Sequence, residues 1–155
     1  MNIGMIVHSQ TGNTHSVALK LEEKLTAAGH SVNLERLKVV GGYEPRKKDI
    51  QFETLPNVEQ YDALVLGSPV EAFSLSPVMV SYLKQIGSLQ NKDVAFLVTQ
   101  AFPYPWLGGN RAVRQMKRAC ESKGATVCGS GIVNWMKKRR EQQIVEVVDR
   151  LSGLL

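Results

Sequence analysis

Short apolar runs separated by helix-length amphipathic stretches constrain this chain more than any other feature. The runs are Ile3–Val7, Val32–Leu34, Ala63–Leu66, Val94–Val98 and, interrupted by glycines, Val127–Val133. Several of these are apolar at successive positions, whereas a strand with one wet face alternates apolar and polar residues; continuous runs are expected of parallel strands covered on both faces by helices. The intervening stretches have helical period. The first opens near Thr14, turns Ala18, Leu21, Leu25 and Ala28 inward at steps of three and four, shows Lys20, Glu23 and Lys24 to water, and stops at Gly29. In the second, Pro77 stands at the first turn behind Ser76 as a cap, and Val78, Met79, Tyr82, Leu83 and Ile86 form the apolar side. The third begins near Asn110 and buries Val113, Met116, Ala119 and Cys120. The fourth runs from about Glu141 with Ile144, Val147, Val148 and Leu151 inward. Residues 37–60 carry Gly41, Gly42, Pro45 and Pro56 without a helical period, which predicts an irregular crossing. The alternation calls for an α/β fold: a doubly wound parallel sheet of five strands with helices on both faces, in one domain spanning residues 1–155.

A chain of 155 residues buries a substantial core without disulfides or metals. Its two cysteines, Cys120 and Cys128, fit neither a redox C-x-x-C nor a zinc spacing, so both are expected to be reduced core thiols. Lys and Arg outnumber Asp and Glu by 19 to 14, giving a formal charge of +5. The densest block is Lys137-Lys138-Arg139-Arg140, joined by Arg46-Lys47-Lys48 and by the Arg111, Arg114, Lys117, Arg118 series. Such blocks are solvated faces or docking surfaces for an acidic partner. Aromatics are not interleaved with them, and no helix-turn-helix, zinc-finger or RNP pattern is present, which argues against nucleic acid. No stretch of about 18 apolar residues exists, so membrane insertion is not expected. With no signal-like N-terminal segment, the expected compartment is the cytoplasm.

Between the first strand and first helix lies Ser9-Gln10-Thr11-Gly12-Asn13-Thr14. A hydroxyl-rich loop leading into a helix is an anion cradle, because the first-turn N–H groups lack intrahelical acceptors and face back into it. The loop has no Lys or Arg, so N–H groups, hydroxyls and the helix dipole must meet the charge. Neither G-x-x-x-x-G-K-[ST] nor G-x-G-x-x-G is present, which argues against a nucleoside triphosphatase and a dinucleotide site and for a phosphomonoester. A plain Ser/Thr-capped helix start is the alternative reading. The pattern S-x-T-G-x-T resembles the phosphate loop of the flavodoxin family, which holds the 5′-phosphate of FMN without a cationic side chain.

Two later loops extend that resemblance. Gly67-Ser68-Pro69-Val70-Glu71-Ala72-Phe73-Ser74-Leu75-Ser76-Pro77 looks like the superfamily's flavin-contacting loop, whose backbone runs along the isoalloxazine edge. Phe73 either covers a ring face or braces the loop. No Gly lies between Pro69 and Phe73, so this loop is expected to resist positive φ. The segment Thr99-Gln100-Ala101-Phe102-Pro103-Tyr104-Pro105-Trp106-Leu107-Gly108-Gly109 places Phe102, Tyr104 and Trp106 together in a chain with only four Phe, four Tyr and two Trp. These form a stacking platform, a lid or an oligomer contact. Thr99, Gln100 and Ala101 resemble the start of the second flavin loop, which meets the pyrimidine edge, while Gly108 and Gly109 permit close approach or form a turn. The resemblance implies strand order 2-1-3-4-5 and a site at the switch point between the first and third strands.

His8 ends a strand and reads as a packed imidazole, His15 sits in a first helical turn whose dipole opposes positive charge, and His30 lies in a turn. No Ser-His-Asp set, carboxylate pair or metal-ligand cluster is legible. The resemblance therefore implies an FMN protein that carries electrons between protein partners, with an NAD(P)H-dependent quinone reductase as the alternative. A cofactor-free module on the same fold is a third reading. A phosphoacceptor receiver is disfavoured, because paired acidic residues do not follow the first strand.

Overall fold

The computed structural model describes residues 1–44 and 49–155, so Pro45 and the Arg46-Lys47-Lys48 block lie outside the described residues. Ten elements follow in chain order: β1 (Asn2–Val7), α1 (Asn13–Ala27), β2 (Ser31–Arg36), β3 (Ala63–Glu71), β4 (Ser74–Leu75), α2 (Pro77–Gln85), β5 (Asp93–Gln100), α3 (Gly109–Ser122), β6 (Thr126–Asn134) and α4 (Arg140–Leu154). Five strands form the order β2-β1-β3-β5-β6 with every neighbour pair parallel, which is the doubly wound, flavodoxin-like order. The two-residue β4 pairs antiparallel with the end of β3, so the strand count is one more than the apolar runs predict.

Period two along the central strands sends alternate residues to opposite helical layers. Ile3, Met5, Val7, Ala63, Val65, Ala95 and Leu97 pack with Val17, Leu21, Leu25, Ile144, Val147 and Leu151 of α1 and α4. Ile6, Leu64, Leu66, Val94, Phe96 and Val98 pack with Val78, Met79, Tyr82, Leu83, Met116 and Cys120 of α2 and α3. Fully burying one such side chain contributes roughly 1.5–3 kcal/mol, so these two layers fix the relative positions of the strand ends. Ser76 caps α2 as expected, its hydroxyl accepting from Val78 N–H at 3.3 Å.

Several local expectations change. Ala28 caps α1 and is exposed rather than inward, because the helix ends at Ala27. In α3, Ala112 is buried and Val113 and Ala119 are only half-buried, a rotation of the buried stripe that follows from starting at Gly109. Cys120 is buried, but Cys128 is half-buried. The register of β5 with β6 shifts between Val94 and Ala95, pairing them with Val127 and Gly129, so Cys128 is the extra residue of a bulge on an edge strand. The stretch from 37 to 60 is irregular among its described residues, with one isolated antiparallel bridge between Val39 and Phe52.

Candidate functional site

At the carboxyl ends of the parallel strands, a cavity of about 250 Å³ is lined by Gln10, Thr11, Asn13, Thr14, Pro69, Val70, Glu71, Thr99, Gln100, Ala101, Trp135 and Met136. Larger depressions exist, but one of about 570 Å³ beside Pro56, Gln85 and Lys92 lies at the amino end of β5, away from the loops that the topology gathers. The cavity draws one wall from each of the loops after β1, β3, β5 and β6. Trp135 and Met136 of the last loop are not legible in the sequence, where they follow a glycine-broken run and precede a basic block.

The β1–α1 loop leads into an open helix start. Gly12 takes φ 95° as the residue before α1, and no side chain caps that helix. Its N-terminal N–H groups are therefore left for an external acceptor, apart from His15 N–H, which donates to Ser9 Oγ at 3.2 Å. Ser9 is itself buried, and its hydroxyl, which accepts from that N–H, keeps its own hydrogen to donate. Thr14 and Thr99, both buried, share a hydroxyl hydrogen bond of 2.7 Å that ties this loop to the end of β5. A hydroxyl carries one hydrogen, so whichever of the two accepts keeps a donor for another acceptor, and both line the cavity.

The second wall is a hairpin rather than an extended connector. Glu71 pairs with Ser74, leaving Ala72 and Phe73 as a two-residue turn at φ 50° and 60°. Positive φ at both central residues is what the right-handed twist of a tight hairpin demands, so the turn overrides the residue preference despite having no Gly. Gln115 of α3 clamps the returning strand, its Oε1 accepting from Ser74 Oγ at 2.9 Å and from Leu75 N–H at 2.8 Å. Gly108, at φ 117°, lets the start of α3 approach closely: a Cβ there would lie 2.5 Å from Val70 Cγ1 and 2.8 Å from Phe73 Cα. Gly109 does the same for Gln100, whose Oε1 would lie 2.5 Å from a Cβ.

Gln100 organises the third wall. Its Nε2 faces the carbonyls of Phe102 and Tyr104 at 2.8 and 2.5 Å and Asn134 Oδ1 at 2.7 Å, while its Oε1 is buried without a protein partner. Ser68 is fully buried within β3 and donates to the Pro69 carbonyl, behind the lining residues. Phe102, Tyr104 and Trp106 do not line the cavity. Phe102 stacks on Phe73 at 5.5 Å, Tyr104 stacks on Trp106 at 4.4 Å, and these four rings are between 46% and 69% exposed. They form an aromatic shelf beside the opening instead of a floor within it.

Beneath the hairpin sits a polar group that the motifs did not reveal. Tyr43 O–H donates to Glu71 Oε1 at 2.7 Å, and Glu71 Oε2 is buried without a protein partner. The buried His8 meets Tyr43 edge-on at 5.3 Å. Burial holds the His8 imidazole neutral, taking its pKa down to about 4; Glu71 opposes that shift and Arg36 adds to it.

These residues fit FMN. The open start of α1 suits a phosphate, and Gln100 and Glu71, which both line the cavity, bring amide and carboxylate groups of the kind that meet the polar edge of a ring such as isoalloxazine. Residues 1–139 match the model of the NADPH-dependent FMN reductase family. The chain belongs to this family. Its cofactor is accordingly FMN, and its class is that of a flavodoxin-like FMN oxidoreductase. Among solved structures, this family member resembles the flavodoxin of Streptococcus pneumoniae TIGR4, with TM-score 0.70 and 13% identity over 100% of both chains. It also resembles flavodoxin 1 of Bacillus cereus, with TM-score 0.69 and 16% identity over 99% of this chain and 96% of the other. An azoreductase from Bacillus anthracis str. Sterne matches with TM-score 0.63 and 15% identity over 99% and 98%. At these identities the likeness establishes the fold. No curated protein matches the chain. No described helix is long and apolar enough to cross a membrane.

Proposed function

We propose that this FMN oxidoreductase passes electrons between protein partners through its flavin, with residues 1–155 acting as one unit. The observation that carries the reading is the exposed shelf of Phe73, Phe102, Tyr104 and Trp106 beside the cavity. Large exposed aromatics gathered at one opening are the composition of a protein-docking centre. Lys137, Lys138 and Arg139 follow directly on the cavity residue Met136 and line the neighbouring depression, so the favoured partner is acidic.

In this reading Thr11, Asn13, Thr14 and the N–H groups of the α1 start hold the phosphate, and Ser9, Gln10 and Gly12 shape that loop. Pro69, Val70 and Glu71 flank the ring, with Ser68, Ala72 and Phe73 fixing the hairpin. Thr99, Gln100 and Ala101 meet its polar edge, Trp135 and Met136 close the far side, and Gly108 and Gly109 let α3 approach. FMN supplies the redox chemistry when bound, while the protein orients it and limits water.

The family match over residues 1–139 favours a second reading, an NAD(P)H-dependent reductase of a quinone or similar acceptor. Anaerobic mixing separates the two. Holo-protein reduced rapidly by an acidic iron–sulfur protein such as a ferredoxin, with rates falling as salt rises, and left oxidised by excess NADPH supports the carrier. Prompt bleaching of the flavin by NADPH, followed by turnover with quinone, assigns the enzyme instead.

A further inference from the structure

Among the described residues, a cation from outside the anion loop's own sequence touches it. Arg36, the last residue of β2, donates from Nη2 to the Ser9 carbonyl at 2.6 Å. The sheet register aims it there, because the β1–β2 ladder pairs Arg36 with Val7, two residues before Ser9. Leu37 N–H then donates to the Val7 carbonyl at 2.8 Å, which anchors the strand end that bears the guanidinium.

We infer that Arg36 positions the phosphate cradle by drawing the Ser9 carbonyl to the outer side of the loop. The inference rests on the FMN reading of the cavity. The Ser9 carbonyl and the Gln10 N–H belong to one planar trans peptide and point in opposite directions. Arg36 does not line the cavity, whereas Gln10 does. With the carbonyl held toward Arg36, the Gln10 N–H faces inward, alongside the open N–H groups of the α1 start. A flip of that peptide would aim the negative end of a carbonyl at a phosphate.

Two further observations agree. Ser9 Oγ is already engaged by His15 N–H, so the side chain does not replace the guanidinium in fixing this peptide. Arg36 also contributes a positive charge beside a loop that contains none, and the buried His8 next to the loop senses it. A cation on the outer side of an anion nest strengthens it without occupying it.

The test uses apo-protein titrated with FMN and with riboflavin, read by quenching of flavin fluorescence. Substituting Arg36→Gln should weaken FMN about ten- to a hundred-fold, since a hydrogen bond to a charged group and the charge itself are lost. Riboflavin, which has no phosphate, should change less than about two-fold, and Arg36→Lys should fall between wild type and R36Q. In wild-type protein the FMN dissociation constant should rise with KCl while that of riboflavin stays level, a measurement independent of how well the variants fold. An R36Q protein with unchanged FMN affinity, an equal loss for both ligands, or a salt-independent FMN affinity in wild type overturns the inference. Wild-type protein that fails to prefer FMN over riboflavin overturns the FMN reading itself.

Discussion

The Thr14–Thr99 pair offers the sharpest test of how the cavity is held together. The two hydroxyls meet at 2.7 Å across 85 residues of sequence, and the residues are 1% and 3% exposed. Valine has nearly the shape of threonine, so Thr14→Val or Thr99→Val removes one hydroxyl with little change in packing. Each single change strands the partner's hydroxyl in a buried place, which costs about 1–3 kcal/mol. Removing both leaves no stranded group and adds two buried methyls, so the double variant should be no less stable than either single one. The coupling energy in the double-mutant cycle is then at least as large as one single loss, about 1–3 kcal/mol or more. For a domain of this size each kcal/mol moves the thermal midpoint by roughly 2–4 °C. Urea unfolding of the apo-protein, followed by far-UV circular dichroism, gives all four midpoints at unchanged slope. Two single variants whose losses simply add in the double variant would refute the argument, since the hydroxyls would then not depend on each other.

His8 stays neutral in the folded protein down to about pH 4, whereas the unfolded residue protonates near its ordinary 6.5. Between those values the unfolded state binds more protons, so His8 makes stability fall as pH drops, by about 1.4 kcal/mol per unit and about 3 kcal/mol in all; urea midpoints of wild type and His8→Gln from pH 7 to 4 should diverge in slope accordingly. Gly108→Ala forces a side chain into the φ 117° backbone and against Val70 and Phe73. It should cost about 2–6 kcal/mol and weaken FMN, and an unaltered denaturation curve would show that the hairpin is not pressed against α3. Burial pushes the Cys120 thiol up to about 12, while Cys128 is half-buried at the bulge. Iodoacetamide should therefore label Cys128 in native protein and Cys120 only after unfolding, as peptide mass spectrometry would show.

The sheet and its helices were legible because burial on both faces writes continuous apolar runs such as Ile3–Val7 and Val94–Val98. The S-x-T-G-x-T loop was legible because its residues are adjacent in sequence. What escaped notice depends on distant pairing. Strand β4 exists because Ala72 and Phe73 accept positive φ, a conformation usually signalled by Gly or Asn. Arg36 and Tyr43 reach the site through register and crossing, with no local motif to mark them. Phe102, Tyr104 and Trp106 share a loop in the sequence, but Gln100 grips the carbonyls of that loop and the rings turn outward to stack in pairs. Composition revealed the cluster of rings and left its direction open.

The four walls of the cavity also depend on one another through the ends of the strands. Trp135 N–H donates to the Gln100 carbonyl at 2.7 Å and Met136 N–H to the Ala101 carbonyl at 3.2 Å, so the last wall hangs on a strand made earlier. During synthesis a nascent chain that ends before β6 carries the cradle and the hairpin, yet lacks the two residues that close the far side. A chain cut before Thr126 would therefore keep three walls of the cavity and leave the side of Trp135 and Met136 open to water.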